Sequence, residues 1–241
     1  VGLTVIANAL SERAQDLGFP RDRICKIQGG TFPDYFVDRS IDECRKRVGL
    51  SGDGPILAFS SLDGHWDLDI VMKTLAIVAR KHPKVRLMLT GEPSELVREM
   101  AREQGVEDRL ILTGYLPTED LPWHMGCADI FLLPFPDTLY NRGRWPNKLG
   151  VYMALGRPTV ANGIGDVGPF FQRHDIGLLA ECDPTDFADK VIRLLDDEAL
   201  RQELGRSARE TAVQYDYPKL VEKLDEFYSQ LLADASQLQA V

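Results

Sequence analysis

Along most of its length the chain repeats one pattern: a short apolar run, a turn built on glycine, serine or proline, then a longer stretch with helical spacing. Residues 56–59 (ILAF) form a β-rich run that ends in Ser60 and Ser61. Residues 66–81 place Leu68, Val71, Met72, Leu75 and Val78 on one helical face, and His82 with Pro83 stops the helix. A strand is predicted at 85–89, closed by Thr90 and Gly91. A helix follows at 94–104, stopped by Gly105, and then a strand at 109–112, closed by Thr113 and Gly114. The alternation continues with a short helix over 118–125, a strand at 130–133, a helix over 148–155 and strands at 158–161 and 177–180. It closes on helices at about 184–196, 197–214 and 218–233. Strands that alternate with long helices make βαβ units and a parallel sheet. Near-continuous apolar strands mark burial on both faces. The predicted fold is α/β, a Rossmann-like doubly wound parallel sheet.

Such a sheet needs a large core, and 241 residues with 44% hydrophobic and 27% charged side chains supply one. The balance of 37 acidic against 28 basic residues leaves a net charge of -9. That argues against the broad basic surface a nucleic acid or an anionic membrane would require. No apolar run approaches the roughly 20 residues of a membrane span. Cys25, Cys44, Cys127 and Cys182 lie far apart with no CxxC pair, and the four histidines have no metal-ligand spacing. The expectation is reduced thiols, no metal and a cytoplasmic location. Residue 1 is Val and VGLTVIA already reads as a strand, with nothing like a signal peptide before it. The chain is therefore expected to be a C-terminal piece of a longer protein.

In open α/β sheets ligands bind beyond the carboxyl ends of the strands, where the strand order switches. The turns to watch are thus Ser60-Ser61-Leu62, Gly91-Glu92, Gly114-Tyr115-Leu116, Pro134-Phe135-Pro136 and Asn162-Gly163. The repeated Leu-x-Leu-Thr-Gly puts a glycine at two of them, although a glycine at a strand end also serves simple turn geometry. The most chemical stretch is 138–165, which holds no Asp or Glu but holds Arg142, Arg144, Lys148 and Arg157. Within it the run 141–148 (NRGRWPNK) feeds a helix start, where unpaired amides and the helix dipole favour an anion. Arginine adds planar paired donors and lysine a point charge, both suited to phosphate. The competing account is a set of surface cations neutralised by neighbours elsewhere. No Walker A loop and no GxGxxG is present. Ser61, Asp63, His65 and Asp67 form a second polar cluster, with Asp67 and Asp69 also explicable as acids in a helix's first turn. Trp145 either packs the core or walls the pocket; His124 and Cys127 read as core. No catalytic residue is assigned.

The order of these motifs resembles the nucleotide-sugar-binding half of a GT-B glycosyltransferase of the family 4 type. Residues 23–36 (RICKIQGGTFPDYF) resemble the family's hinge, and 110–117 (LILTGYLP) the turn that contacts the base. Residues 127–134 (CADIFLLP) resemble the strand leading to the donor loop. Residues 145–160 (WPNKLGVYMALGRPTV) are the most specific match, and 217–232 resemble the final helix that crosses back to the other domain. The resemblance implies a hinge remnant over 1–38, a Rossmann-like donor-binding domain over 39–216, and a crossing helix and tail over 217–241. It implies a metal-independent enzyme that takes its sugar from a UDP- or GDP-sugar and uses no cofactor. The diphosphate would rest on Asn147, Lys148 and Leu149 with Arg142 and Arg144, the base on Tyr115 and Leu116, with Ser61, Gly91 and Glu92 completing the donor site. The acceptor would bind the missing N-terminal domain, and any peripheral membrane contact would run through that domain; this piece alone would turn over nothing.

Three departures from the family pattern accompany the match. The second acid of its acid-x7-acid pair, a ribose ligand, falls on Val151, and the first on or near Gly143. Ser61 stands where the family has Arg, and His65 near its Lys. The missing N-terminal domain is the third. A degenerate nucleotide-binding module and a nucleotide-sugar epimerase of the same architecture therefore stand as alternatives, and a dinucleotide-dependent oxidoreductase as a weaker one.

Overall fold

The computed structural model describes residues 1–32, 35, 39–60, 65–92 and 95–239. Two sheets are present among them. A small parallel pair joins β1 (Leu3–Val5) to β2 (Ile24–Lys26), with helix α1 (Asn8–Asp16) between. The main sheet contains β3 (Ile56–Ser60), β4 (Arg86–Thr90), β5 (Leu110–Leu112), β6 (Ile130–Leu133), β7 (Thr159–Asn162) and β8 (Gly177–Ala180). Its order is β5-β4-β3-β6-β7-β8, and the registers of all five pairings are parallel. Strand order reverses between β3 and β6, so the switch point lies at the ends of those two strands.

The strand pleat explains why both faces are covered. Ile56 and Ala58 belong to one buried cluster and Leu57 and Phe59 to another. Phe131 and Leu133 face the first cluster; Ile130 and Leu132 face the second. The second cluster is closed by α3 (His65–Lys81), α4 (Glu95–Glu103) and α9 (Pro184–Asp196), through residues such as Val71, Leu75, Val97 and Phe187. The first is closed by α2 (Ile41–Arg47), α5 (Leu121–Met125), α7 (Lys148–Ala154), α8 (Val167–His174) and α10 (Glu198–Gln214). Each fully buried large side chain in these layers contributes roughly 1.5–3 kcal/mol relative to exposure. Between β6 and α7 lies the short helix α6 (Leu139–Arg142). The sheet is thus the doubly wound Rossmann-like sheet that the apolar runs predict. At Gly177 a Cβ would stand 1.8 Å from the Thr159 carbonyl oxygen, so only glycine admits β8 against β7.

The chain ends in α11 (Tyr217–Gln239), longer than the predicted 218–233. It lies against the first unit: a Cβ at Gly2 would collide with Leu231 and Phe227, Arg23 pairs with Asp234 at 3.5 Å, and Lys223 donates to the Lys26 carbonyl. Four elements go beyond the predicted set, namely β2, α1, α2 and α8, and α6 is a fifth. The predicted helix over 118–125 is helical only from Leu121, because 118–120 turn behind Pro117.

Candidate functional site

The loop from β6 to α7 is held by polar side chains that the fold buries. Asn162, at the end of β7, accepts from the Phe135 amide at 2.8 Å and donates to the carbonyls of Ala180 and Glu181. This pins the loop's start to the carboxyl edge of the sheet. Thr138 caps α6 by accepting from the Asn141 amide, and Asn141 donates to the Pro136 carbonyl at 2.7 Å. Asn141 Oδ1 then takes the Arg144 Nε–H at 2.6 Å. The Arg144 guanidinium is stacked between the rings of Phe135 and Tyr140, at 4.6 and 4.9 Å from their centres. Arg144 is therefore pre-oriented by two rings and one amide.

Lys148 opens α7 and leans over the Phe59 ring, its Nζ 4.3 Å from the ring centre. Burial is the main reason its ammonium is pulled down from 10.5 to about 8; Asp67 opposes that shift and Arg144 adds to it. Asp67 is pushed upward by its own burial, against the pull of Lys148 and Arg144. Two cations and one carboxylate thus face each other at the switch point, and Asp67 lies in the first turn of α3, the placement the first-turn account predicts. Beside Lys148 is a cavity of about 200 Å³ whose walls include Ser60, Asn147, Val151, Tyr152, Thr31 and Tyr217. Tyr152 stacks on Phe131 and accepts the Ser60 amide at 2.9 Å, so its hydroxyl fixes the end of β3. Thr31 is 2% exposed, and its Oγ1 has no hydrogen-bond partner among the described residues.

The predicted site residues separate into groups. Asn147 and Lys148 meet at the cavity, which Val151, standing where the resemblance puts an acid, also lines, and Arg144 acts electrostatically on Lys148. Leu149 is fully buried in the core and its amide bonds the Pro146 carbonyl at 2.9 Å, so α7 begins on an internal turn. Arg142 makes a two-point pair with Asp137, at 2.6 and 2.7 Å, one residue beyond the acid-free stretch. For Arg142 the neutralised-cation account therefore holds. Arg157 likewise donates to backbone carbonyls, those of Ala128, Leu155, Gly156 and Arg39. Trp145 belongs to the core: it is 4% exposed and donates to the Gly29 carbonyl at 3.1 Å. The Gly91 amide donates to the Gly114 carbonyl at 3.1 Å, and both glycines have positive φ. Glu92, Tyr115 and Leu116 extend from that bridge, outside the cavity walls; Tyr115 is 75% exposed. Ser61 and Asp63, and the His65 side chain, lie outside the described residues. Among the described residues no three His, Cys, Asp or Glu side chains gather as a metal site, and no helix is long and apolar enough to cross a membrane.

The family model described as glycosyl transferases group 1 matches residues 55–197. Among curated proteins the chain is 25% identical, over 96% of its length, to N-acetyl-alpha-D-glucosaminyl L-malate synthase of Bacillus anthracis, covering 60% of that protein. It is 28% identical, over 77% of its length, to the GDP-mannose-dependent alpha-(1-6)-phosphatidylinositol monomannoside mannosyltransferase of Mycobacterium tuberculosis, covering 50% of it. The chain thus spans between half and two thirds of these relatives. Among solved structures, Anabaena HepE in complex with UDP and glucose superimposes with a TM-score of 0.77 at 18% identity, over 95% of this chain and 63% of that one.

Proposed function

The chain belongs to the group 1 glycosyl transferases, and from that premise we propose that it binds the nucleoside diphosphate of a UDP- or GDP-sugar for transfer of the sugar to an acceptor. The observation that carries this reading is the placement of Lys148 in the wall of a cavity at the switch point between β3 and β6, with the pre-oriented Arg144 adding its charge to that of Lys148. An anion there would meet Lys148 directly and the field of Arg144 behind it, in a partly desolvated setting where fixed charges act strongly on a departing diphosphate. Asn147 supplies an amide side chain at the same cavity. Tyr115, exposed beside the Gly91–Gly114 bridge, is in a position suited to stacking on a base, with the half-buried Leu116 next to it. No metal enters the reading. The related proteins named above, one GDP-mannose-dependent and one bound to UDP, support a nucleotide-sugar donor without choosing its base.

Thermal unfolding with UDP or GDP tests the reading directly. A ligand at about 100 times its Kd stabilises by roughly 2.7 kcal/mol, and Lys148→Ala combined with Arg144→Ala is expected to remove that shift. Absence of a shift with either nucleotide at millimolar concentration refutes it. A second reading has one observation in its favour: Val151 presents methyl groups to the cavity where the resemblance puts a ribose-binding acid. On that reading the whole protein binds nucleotide without transferring sugar, and a transfer assay on it separates the two.

A further inference from the structure

An aspartate at a helix N-cap ordinarily turns its side chain back onto the amides of its own first turn. Asp166, at the N-cap of α8, does not: its φ of -74° and ψ of -13° are already helical and its carboxylate takes no bond from α8. It reaches instead into the unit formed by the first residues of the chain. Its Oδ1 and Oδ2 each lie 3.2 Å from the amide of Asn8, the first residue of α1. Lys26 donates to Oδ2 at 3.0 Å and Gln28 at 3.2 Å. Helix α1 has no cap of its own, since Ala7 precedes it and carries no acceptor. The Asp166 carboxylate is thus the cap of a helix 158 positions away. Asp166 is 7% exposed, so its charge is shielded from water and its partners are charge-assisted. Leaving such a carboxylate unpaired is strongly unfavourable.

The same turn touches the basic loop. Gly165, with φ of +57°, packs on Arg142: a Cβ there would lie 3.0 Å from the Arg142 carbonyl oxygen. The contact is tight and the positive φ favours glycine, so the turn and the loop are packed directly on each other. We propose that Asp166 is a positioning residue that caps α1 from across the molecule and clamps the β1–α1–β2 unit onto the loop carrying Arg144 and Lys148. Anion binding at Lys148 and closure of the clamp are then coupled, and by linkage each strengthens the other. The coupling rests on the nucleotide reading above; the capping does not.

Hydrogen exchange on the 241-residue chain, with and without UDP or GDP, tests both parts. Asp166→Ala is expected to speed exchange over 8–11 by about tenfold or more while β3 and β6 stay protected, a local opening rather than a global one. Asp166→Asn keeps one acceptor oxygen and is expected to fall between. In the unsubstituted chain nucleotide slows exchange in α1; in Asp166→Ala it does not, a response that a purely structural aspartate would leave untouched. Exchange in α1 unchanged by Asp166→Ala, or protection lost equally through the main sheet, overturns the proposal. If neither nucleotide binds, the unliganded exchange still decides the capping, and the coupling falls with the nucleotide reading. Should Asp166→Ala not fold, Lys26→Met with Gln28→Ala removes two donors and keeps the aspartate. Faster exchange in α1 then supports the clamp, and unaltered exchange refutes it.

Discussion

Lys148 is held in conditions that cost the unliganded protein something. Burial brings its ammonium to about 8, with Phe59 beneath it and Arg144 adding a like charge. Because the folded value lies below the unfolded one, the unfolded chain binds more protons between about pH 8 and 10.5, and this residue's contribution to stability rises with pH across that window. Nucleotide binding has the opposite sign, since it uses the charged form. Titrating the UDP- or GDP-induced thermal shift from pH 7 to 9.5 is expected to show the shift shrinking above about 8 while the unliganded protein gains from this residue. Lys148→Met, which keeps the apolar stem over Phe59, is expected to abolish the nucleotide shift without lowering the unliganded Tm at pH 7. A fall of more than about 3 °C, of order 1 kcal/mol in a chain of this length, would mean that the charge serves the fold rather than the ligand.

Helix α7 presses so closely on the hinge segment that its third residue has no room for a side chain. A Cβ at Gly150 would stand 2.5 Å from the Gly30 carbonyl oxygen, and at Gly29 one would reach Asn147 Oδ1 at 2.1 Å. Gly150→Ala is therefore expected to push α7 and the hinge apart at a cost of about 1–3 kcal/mol, and to weaken nucleotide binding because Asn147 and Lys148 ride on the same helix; the unfolding midpoint and a nucleotide titration measure the two effects. The sequence resemblance marks this segment as a hinge, but only coordinates reveal that the helix side of the contact, Gly150, meets backbone at a distance that glycine alone allows. The same contrast runs through the other elements. The strands of the main sheet are legible because each is apolar on both faces and closed by a turn residue, as Ile56–Ser60 and Ile130–Leu133 illustrate. Helix α8 is not legible, since Gly168 and Pro169 interrupt its pattern and its buried Phe170 and Phe171 are adjacent rather than spaced. Helix α2 is short, and its one buried side chain, Cys44, gives no period, although Ser40 and Glu43 form a capping signature. At the site, Lys148 and Asn147 could be read from their loop. The pairing of Arg142 could not, because Asp137 lies just outside the stretch whose lack of acids drew attention to it. Nor could the approach of Asp67 to Lys148, which depends on α3 and α7 meeting at the switch point.

Taken as one body, the molecule joins a large two-layered core to a much thinner appendage. The six-stranded sheet is packed on both faces by helices, whereas β1 and β2 form a three-residue pair that an isolated hairpin-sized sheet could not sustain in water. Prominent among the contacts that hold that appendage are the Asp166 cluster at the basic loop, and α11 lying along it through Leu231, Phe227 and the Lys223 and Asp234 contacts. The attachments lie far apart in sequence, one before and one after α9 and α10, so the appendage closes a loop through the whole fold. Such an arrangement predicts two cooperative units rather than one. Ending the chain after Asp216 removes the whole of α11 and leaves the main core intact. Exchange over β1, α1 and β2 is then expected to approach the unprotected rate, while β3, β4, β6 and β7 keep their protection and Tm for the main transition moves by only a few degrees. If the shortened chain instead loses protection everywhere at once, the two units are a single cooperative body and α11 supports the main sheet as well as the appendage.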